Sequence, residues 1–492
     1  MIGRELEQTL TTSPPSVRSW RDWGLAVLLI TSIVLGIAMG EMMFAPQRLG
    51  AAGATVLVLL AAAVFVRVLG ARMGLLGLLI ATCLIDRFTY PVKGVDIRGE
   101  QVAALLGLGL VAYLVVTRPG GWNLARPNLT EALLGLWLAI NLVSSLTAAP
   151  DVSRSVKGVG LLLISCAAVL LPRRLLDKTR AAEQMDVTVK LLLIALAAAG
   201  AYGTGVFLAH VFGSSISISA NGATGHLSAY GTLWEPNVLG AMSAAGAVAW
   251  AWLGPRYFRF AWLGTAACLG GTIVSFTRAA WVAAALLLAF SLFKLVRRRA
   301  DLKQLGLGLA GAAVIALAVV GAETVTDYFA PVAPGAGGAP APVVSHGLLA
   351  LLVNSVDVIG RLDQVKTVLS ALGHHPLLGS GTASYGETHV FQGLPEHIAN
   401  LELTVLNDTG VIGALVFLAF VLALAYAAWR HRSDPIVAGL GLATLVILIT
   451  NSATETTELM ISWLMLGLLL MAIDVARSTT AIGSSESVRP TA

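Results

Sequence analysis

The chain has 492 residues, 57% of them hydrophobic and only 12% charged, with a mean hydropathy of +0.81. Soluble domains carry about 25% charged residues, so these figures exclude an ordinary water-soluble enzyme and predict a membrane protein of many spans. The net charge of +5 says little about nucleic acid, because the basic residues sit in short loops between apolar runs and act as a topology signal.

Residues 1–22 read as a polar cytoplasmic tail. The first apolar run, "WGLAVLLITSIVLGIAMG", is longer than the apolar core of a cleavable leader and reads as an anchor. A helix needs about 20 apolar residues to cross the hydrocarbon core. Spans are expected near 23–41, 51–69, 73–86, 101–117, 130–148, 156–172, 189–212, 237–254, 259–277, 279–296, 304–322, 409–429, 435–452 and 458–475. The fold class is therefore all-α and polytopic, with about 14 transmembrane helices, or 12 to 14 given the short third span and the tight join between the ninth and tenth. Eleven spans fill 23–322, a long extracytoplasmic loop fills 323–408, and three more spans fill 409–475. Residues 476–492 read as a disordered cytoplasmic tail. Within the long loop, "PVAPGAGGAPAP" is a linker. "LLALLVNSVDVIGRLDQVKTVLSALG" is helix-like and suits an amphipathic helix at the membrane interface.

Loop charge tests this count. Arg18 and Arg21, Arg67 and Arg72, Arg118 and Arg126, "PRRLLDKTR", Arg256 and Arg259, "KLVRRRADLK", "WRHRSD" and Arg477 make every second connection basic. The positive-inside rule places those connections and both termini in the cytoplasm. Cys83, Cys166 and Cys268 fall inside apolar runs and read as small buried side chains.

The connections that face outward hold the candidate chemistry. Arg278 interrupts "GTIVSFTRAAWVAAALLLAF", where a cation at mid-membrane would cost about 2.5–3.5 kcal/mol. It reads either as an interfacial anchor or as an anion site. In "GTLWEPNVLGA", Glu235 and Asn237 flank Pro236; the triplet suits a helix start, or a carboxylate and an amide that orient a sugar hydroxyl or pair with an arginine. Arg361 precedes His375 and the "HPLLGSG" turn, and "PEHIANLELTVLNDTG" brings Glu396, His397 and Asn400 just ahead of a span. There is no Asp-x-Asp pair, no clustered set of outward carboxylates and no Walker-type loop, so neither a metal ion nor a nucleotide cofactor is expected.

In order and spacing, "TLWEPNVLGA", "SFTRAAWVAA", "GRLDQVKTVLSALGHHPLLGSG" and "NLELTVLNDTGVIGALVFL" resemble the O-antigen ligase and O-antigen polymerase superfamily over about residues 185–475. The resemblance implies a lipid-donor glycosyltransferase of GT-C-like architecture in the bacterial inner membrane. Such an enzyme would move a glycan from an undecaprenyl-diphosphate carrier to a lipid, glycan or protein acceptor on the outer face. Arg278 and Arg361 fall on the family's diphosphate-gripping arginines. The family pattern of His-Asn followed by a G-x-x-G puts Asn400 on the amide and Ala399 where the histidine usually stands. The candidate bases are then His397, Glu235 and Glu396, with His375, Asn237 and Asn400 as further substrate contacts. A polymerase using the same donor, or a secondary transporter or flippase with paired repeats, are the alternative readings.

Overall fold

The computed structural model describes residues 69–85, 89–92, 95–117, 127–213, 219–220, 227–233, 235–295, 299–329, 355–385, 398–454 and 459–486. Thirteen α-helices occur among them: α1 (Ala71–Cys83), α2 (Gly99–Thr117), α3 (Leu129–Thr147), α4 (Val152–Leu175), α5 (Ala181–Val211), α6 (Pro236–Tyr257), α7 (Ala261–Val274), α8 (Arg278–Leu295), α9 (Arg299–Phe329), α10 (Ser355–His374), α11 (Leu401–Arg430), α12 (Pro435–Asn451) and α13 (Met460–Glu486). Two short antiparallel ribbons join the helices at their ends: β1 (Thr89–Val92) with β2 (Val95–Arg98), and β3 (Ser219–Ala220) with β4 (Leu227–Ser228). Eight helices among the described residues are long and apolar enough to cross a membrane. Four more apolar helices, α1, α7, α8 and α12, are shorter. These twelve fall on the last twelve expected spans. The expected spans 23–41 and 51–69 lie outside the described residues, save for the last position of the second.

Three boundaries differ from expectation. Helix α9 runs on to Phe329 and α11 starts at Leu401, so the long connection is shorter at both ends than 323–408. The cause at the second end is Asn400, whose side chain accepts from the Leu403 N–H at 2.8 Å and starts the helix nine residues before the first strongly apolar stretch. Helix α13 continues to Glu486, well into the segment expected to be a disordered tail. Helix α10 lies where the amphipathic helix was expected.

Helix α6 is the axis of the bundle. Its sequence "VLGAMSAAGAVAWAWLG" is dominated by small residues, which let neighbouring backbones approach closely without large side chains between them. It packs along α7, α12, α8 and α5, and Val238 to Ala251 are buried almost without interruption. Helix α13 is the second buried rod, lying on α4 and α12. All three cysteines are buried.

The two ends of the bundle differ in character. At one end the basic residues gather around acidic partners. Glu131, only 4% exposed, accepts from Arg173 at 2.6 Å and Arg174 at 2.7 Å, and Arg173 also binds Asp474. Arg72 faces Asp177, Arg256 faces Asp186, and the Arg477 Nε donates to the His431 Nε2 at 3.3 Å. The other end holds the candidate residues.

Candidate functional site

Two broken helices shape this end. The first break separates α7 from α8 at Ser275–Phe276–Thr277. Phe276 takes a left-handed backbone (φ 52°), uncommon for a bulky residue, and its neighbours hold it there. Thr277 N–H donates to the Ser275 Oγ at 3.2 Å, and the Thr277 Oγ1 lies 3.2 Å from the Pro236 carbonyl and 3.3 Å from the Asn237 Oδ1. Gly240 leaves the room, since a Cβ there would lie 2.6 Å from both Ser275 and Thr277. The turn that carries Arg278 is thus latched to the first turn of α6.

Arg278, half-buried, opens α8. A cation in a helix's first turn adds to the positive end of the dipole instead of offsetting it. Helix α6 begins at the same corner, with Pro236 at its first position. Two helix N-termini and a guanidinium therefore converge, an arrangement that suits an anion. Glu235, the residue ahead of Pro236, is exposed and makes no capping hydrogen bond. Its carboxylate is not committed to holding the helix start.

The second break lies inside α11 at Gly410, whose φ of 62° and ψ of −165° are non-helical and close to a region that only glycine populates readily. The "HPLLGSG" loop after α10 fills the gap. The Ser380 and Gly381 N–H groups donate to the Asn407 and Asp408 carbonyls at 2.7 and 3.1 Å. The Val411 and Ile412 N–H groups donate to the Pro376 and Leu377 carbonyls at 3.0 and 3.2 Å. The hydrogen bonds that the helix loses at its break are remade across the join, which satisfies the buried backbone. The loop itself turns at Gly379 (φ 71°), where a Cβ would meet the Gly410 N and the Asn407 O at 2.5 Å. Helices α10 and α11 are also joined by Gln364, which accepts from the Ala399 N–H at 3.2 Å, and by an apolar cluster of Val368, Tyr385 and Ile398. Burial pushes the Tyr385 phenol above its usual range, against a hydrogen bond with Thr367 that acts the other way.

The structure brings Glu235, Asn237 and the Arg278 turn to one corner. It places His375, exposed, at the end of α10, with its carbonyl accepting from the Gly379 N–H at 2.9 Å. Arg361 lies on α10 one turn before Gln364; its side chain is outside the described residues, as are Glu396 and His397. Asn400 is engaged twice: beyond its cap, its Nδ2 donates to the Ser452 carbonyl at 2.6 Å, tying the start of α11 to the end of α12. Helix α12 in turn packs on both α8 and α11.

Residues 263–418 match the O-antigen ligase family. The match bears out the resemblance to the O-antigen ligase and polymerase superfamily, and supports an O-antigen ligase-like membrane function of glycosyltransferase type. It covers about a third of the chain, from the first turn of α7 to beyond the Gly410 break. Arg278, Arg361, His375, Glu396, His397 and Asn400 fall within it; Glu235 and Asn237 precede it. No curated protein matches the chain at a significant level.

One group of residues at this end carried no assignment in the sequence. Asn141, Ser144 and Ser145 on α3 and Ser155 on α4 are buried and clamp the spliced loop from the far side. Ser144 Oγ donates to the Asp408 carbonyl at 2.7 Å, Ser155 Oγ to the Thr382 carbonyl at 2.7 Å, and Thr382 N–H to the Ser145 Oγ at 3.1 Å; the Thr382 Oγ1 donates to the Asn141 Oδ1 at 2.9 Å. The available signal was the polar run "NLVSS" within an apolar span, spaced so that Asn141, Ser144 and Ser145 share one helix face.

Proposed function

We propose that this protein is a membrane glycosyltransferase of O-antigen ligase type, moving a glycan from an undecaprenyl-diphosphate donor to an acceptor hydroxyl. The reading rests above all on the Arg278 corner. There a guanidinium and two helix N-termini converge beside an uncommitted carboxylate, Glu235, at the end of the bundle away from the basic cluster. By the positive-inside rule the basic end faces the cytoplasm, which puts the reaction on the extracytoplasmic face of the inner membrane in a GT-C-like bundle.

In this mechanism Arg278 and Arg361 grip the diphosphate, since arginine offers a planar, permanently protonated fork that matches phosphate oxygens. Negative charge grows on the leaving phosphate as the glycosyl bond breaks. Guanidinium groups aimed there stabilise the transition state more than the ground state, without a metal ion. The acceptor oxygen attacks the anomeric carbon from the face opposite the leaving phosphate and inverts it. A base drawn from His397, Glu396 or Glu235 takes the hydroxyl proton, a contribution of about 10²–10⁴ in rate. Asn237 and His375 would serve to orient the sugar.

The test is incubation of the purified protein in nanodiscs with defined undecaprenyl-diphosphate glycans and candidate acceptors, with products read by mass spectrometry. Transfer to an acceptor is expected, and Arg278→Ala and Arg361→Ala should each abolish it with membrane insertion intact. Extension of the glycan on its own carrier would make the protein a polymerase. Undiminished transfer by the double variant would refute the mechanism.

A further inference from the structure

At the basic end of the bundle, Arg173 and Arg174 bind Glu131, Arg72 faces Asp177, and Arg256 faces Asp186. Arg430 and Arg432, where α11 ends, are different. Both are exposed, and neither has an acidic partner among the described residues. The carboxylates on the neighbouring elements are committed elsewhere. Asp434 accepts from the Ile436 and Val437 N–H groups at 2.8 and 3.0 Å to start α12, and Asp474 binds Arg173 and faces Arg477.

The two guanidinium groups lie over aromatic rings instead. The Arg432 Cζ stands 4.2 Å from the centre of the Trp429 ring, and its Nη1 donates to the Trp429 carbonyl at 2.9 Å. The Arg430 Cζ stands 6.0 Å from the centre of the Tyr426 ring. Both distances are within reach of a cation–π contact. Stacking occupies the flat face of a guanidinium and leaves its in-plane N–H groups for an acceptor.

The position of these rings relative to a bilayer follows from α11 itself. Leu415, Leu418, Leu422, Tyr426 and Trp429 recur at spacings of three and four, and each is more than half exposed. Phe420, Leu424 and Ala427 on the other side are buried. One face of the helix below its break is thus apolar and open along its length, as a face that meets acyl chains must be. From Gly410 to Trp429 the helix rises about 28 Å, close to the thickness of the hydrocarbon core, about 30 Å. Tyr426 and Trp429 therefore reach the headgroup level at the basic end, the depth that tyrosine and tryptophan favour.

We propose that Arg430 and Arg432 bind the headgroup of an anionic phospholipid in the leaflet at the basic end, with its acyl chains along Leu418 and Leu422. The phosphate accepts from the free N–H groups of the stacked arginines in charge-assisted hydrogen bonds. A zwitterionic lipid would bring an ammonium toward these cations and toward Arg477, which donates to the intervening His431; an anionic one brings none. A soluble acidic partner would satisfy the arginines but leave the apolar row uncovered. A headgroup held here also fixes the depth of α11, whose other end carries the Gly410 splice.

The experiment titrates the full-length protein, purified and stripped of lipid in a neutral detergent, with phosphatidylglycerol and with phosphatidylcholine, and reads retained lipid by native mass spectrometry. Phosphatidylglycerol should be retained selectively. Arg430→Gln with Arg432→Gln should weaken it by about thirtyfold, about fivefold for each guanidinium. Arg180→Gln, which removes an arginine already bound to Glu183, should leave it unchanged. Equal retention by the double variant, or no preference over phosphatidylcholine, overturns the inference. A measurement on the wild type alone guards against misfolding of the variant. A diazirine-bearing phosphatidylglycerol in nanodiscs should label Leu422, Tyr426 or Trp429, and its phosphatidylcholine counterpart should label them at least fivefold less. Equal labelling by the two probes, labels confined to other helices, or a protein dimer that the double variant dissolves in place of a lipid adduct would each refute the site.

Discussion

Replacing Gly410 with alanine tests whether the splice between α10 and α11 holds this end of the molecule together. The added Cβ would lie 2.5 Å from the Gly379 N and from the Leu377 C and O. All three are backbone atoms that cannot rotate aside, so the loop must leave the helix. The backbone conformation at Gly410 would itself cost an alanine about 1–3 kcal/mol. Loss of the four hydrogen bonds across the join adds about 2–6 kcal/mol at about 0.5–1.5 each. The sum is comparable to the whole stability of an ordinary domain, about 5–15 kcal/mol. The strain can, however, be released by local opening, so the bundle is expected to survive with the loop detached. Hydrogen–deuterium exchange of the protein in nanodiscs reads this directly. The amides of Ser380, Gly381, Val411 and Ile412 should exchange at least a hundredfold faster in the variant. Gly160→Ala, where a Cβ meets nothing within 4 Å, should leave them unchanged. If those four amides stay as protected in Gly410→Ala as in the wild type, the splice does not depend on the glycine and the account of the kink is wrong.

Glu131→Gln should lower the thermal midpoint of the purified protein. It leaves Arg173 and Arg174 facing a neutral amide in a buried site, and breaking such a pair costs about 3–5 kcal/mol; an unchanged midpoint would show the cluster to be solvated. Asn400→Ala should destabilise through the lost cap, worth about 0.5–2 kcal/mol, and the lost bond to Ser452. Asn400→Ser should recover the cap but not the tie to α12, and calorimetry of both would show whether the tie matters. Arg278→Lys keeps the charge but loses the fork, so the donor KM in the transfer assay should rise at least tenfold with membrane insertion intact; an unchanged KM would mean that Arg278 does not hold the diphosphate.

Most of the helical framework was legible because apolar length and loop charge are strong, independent signals. The twelve described bundle helices fall on expected spans, and the basic connections collect at one end. Pro236 at the head of α6 was also readable, since proline fits a helix's first turn. The splice was not. A glycine within an apolar run is common, and nothing local says that Gly410 faces Gly379, thirty-one residues earlier. The start of α11 was placed late because hydropathy rises only after Gly410, whereas the helix is begun by a polar side chain. The clamp from Asn141, Ser144, Ser145 and Ser155 joins residues more than 200 positions from the loop they hold. No periodicity within α3 or α4 could reveal that pairing.

The polar groups at the site end fall into two sets, and the division bears on which of them do chemistry. Asn141, Ser144, Ser145, Ser155 and Thr382 are buried and spend their hydrogen bonds on one another or on backbone. Groups so placed hold a backbone in position and have little left for a substrate. Glu235 and His375 are exposed and Arg278 is half-buried at a helix start; these can meet a ligand that arrives from outside. Asn400 belongs with the first set by its bonds and with the second by its place in the family pattern. With its Oδ1 on Leu403 and its Nδ2 on Ser452, it fixes where the upper part of α11 begins. On this reading Asn400 acts on the reaction through the position of α11, so its loss should lower stability and turnover together, whereas loss of the Arg278 fork should weaken donor binding and leave the fold alone.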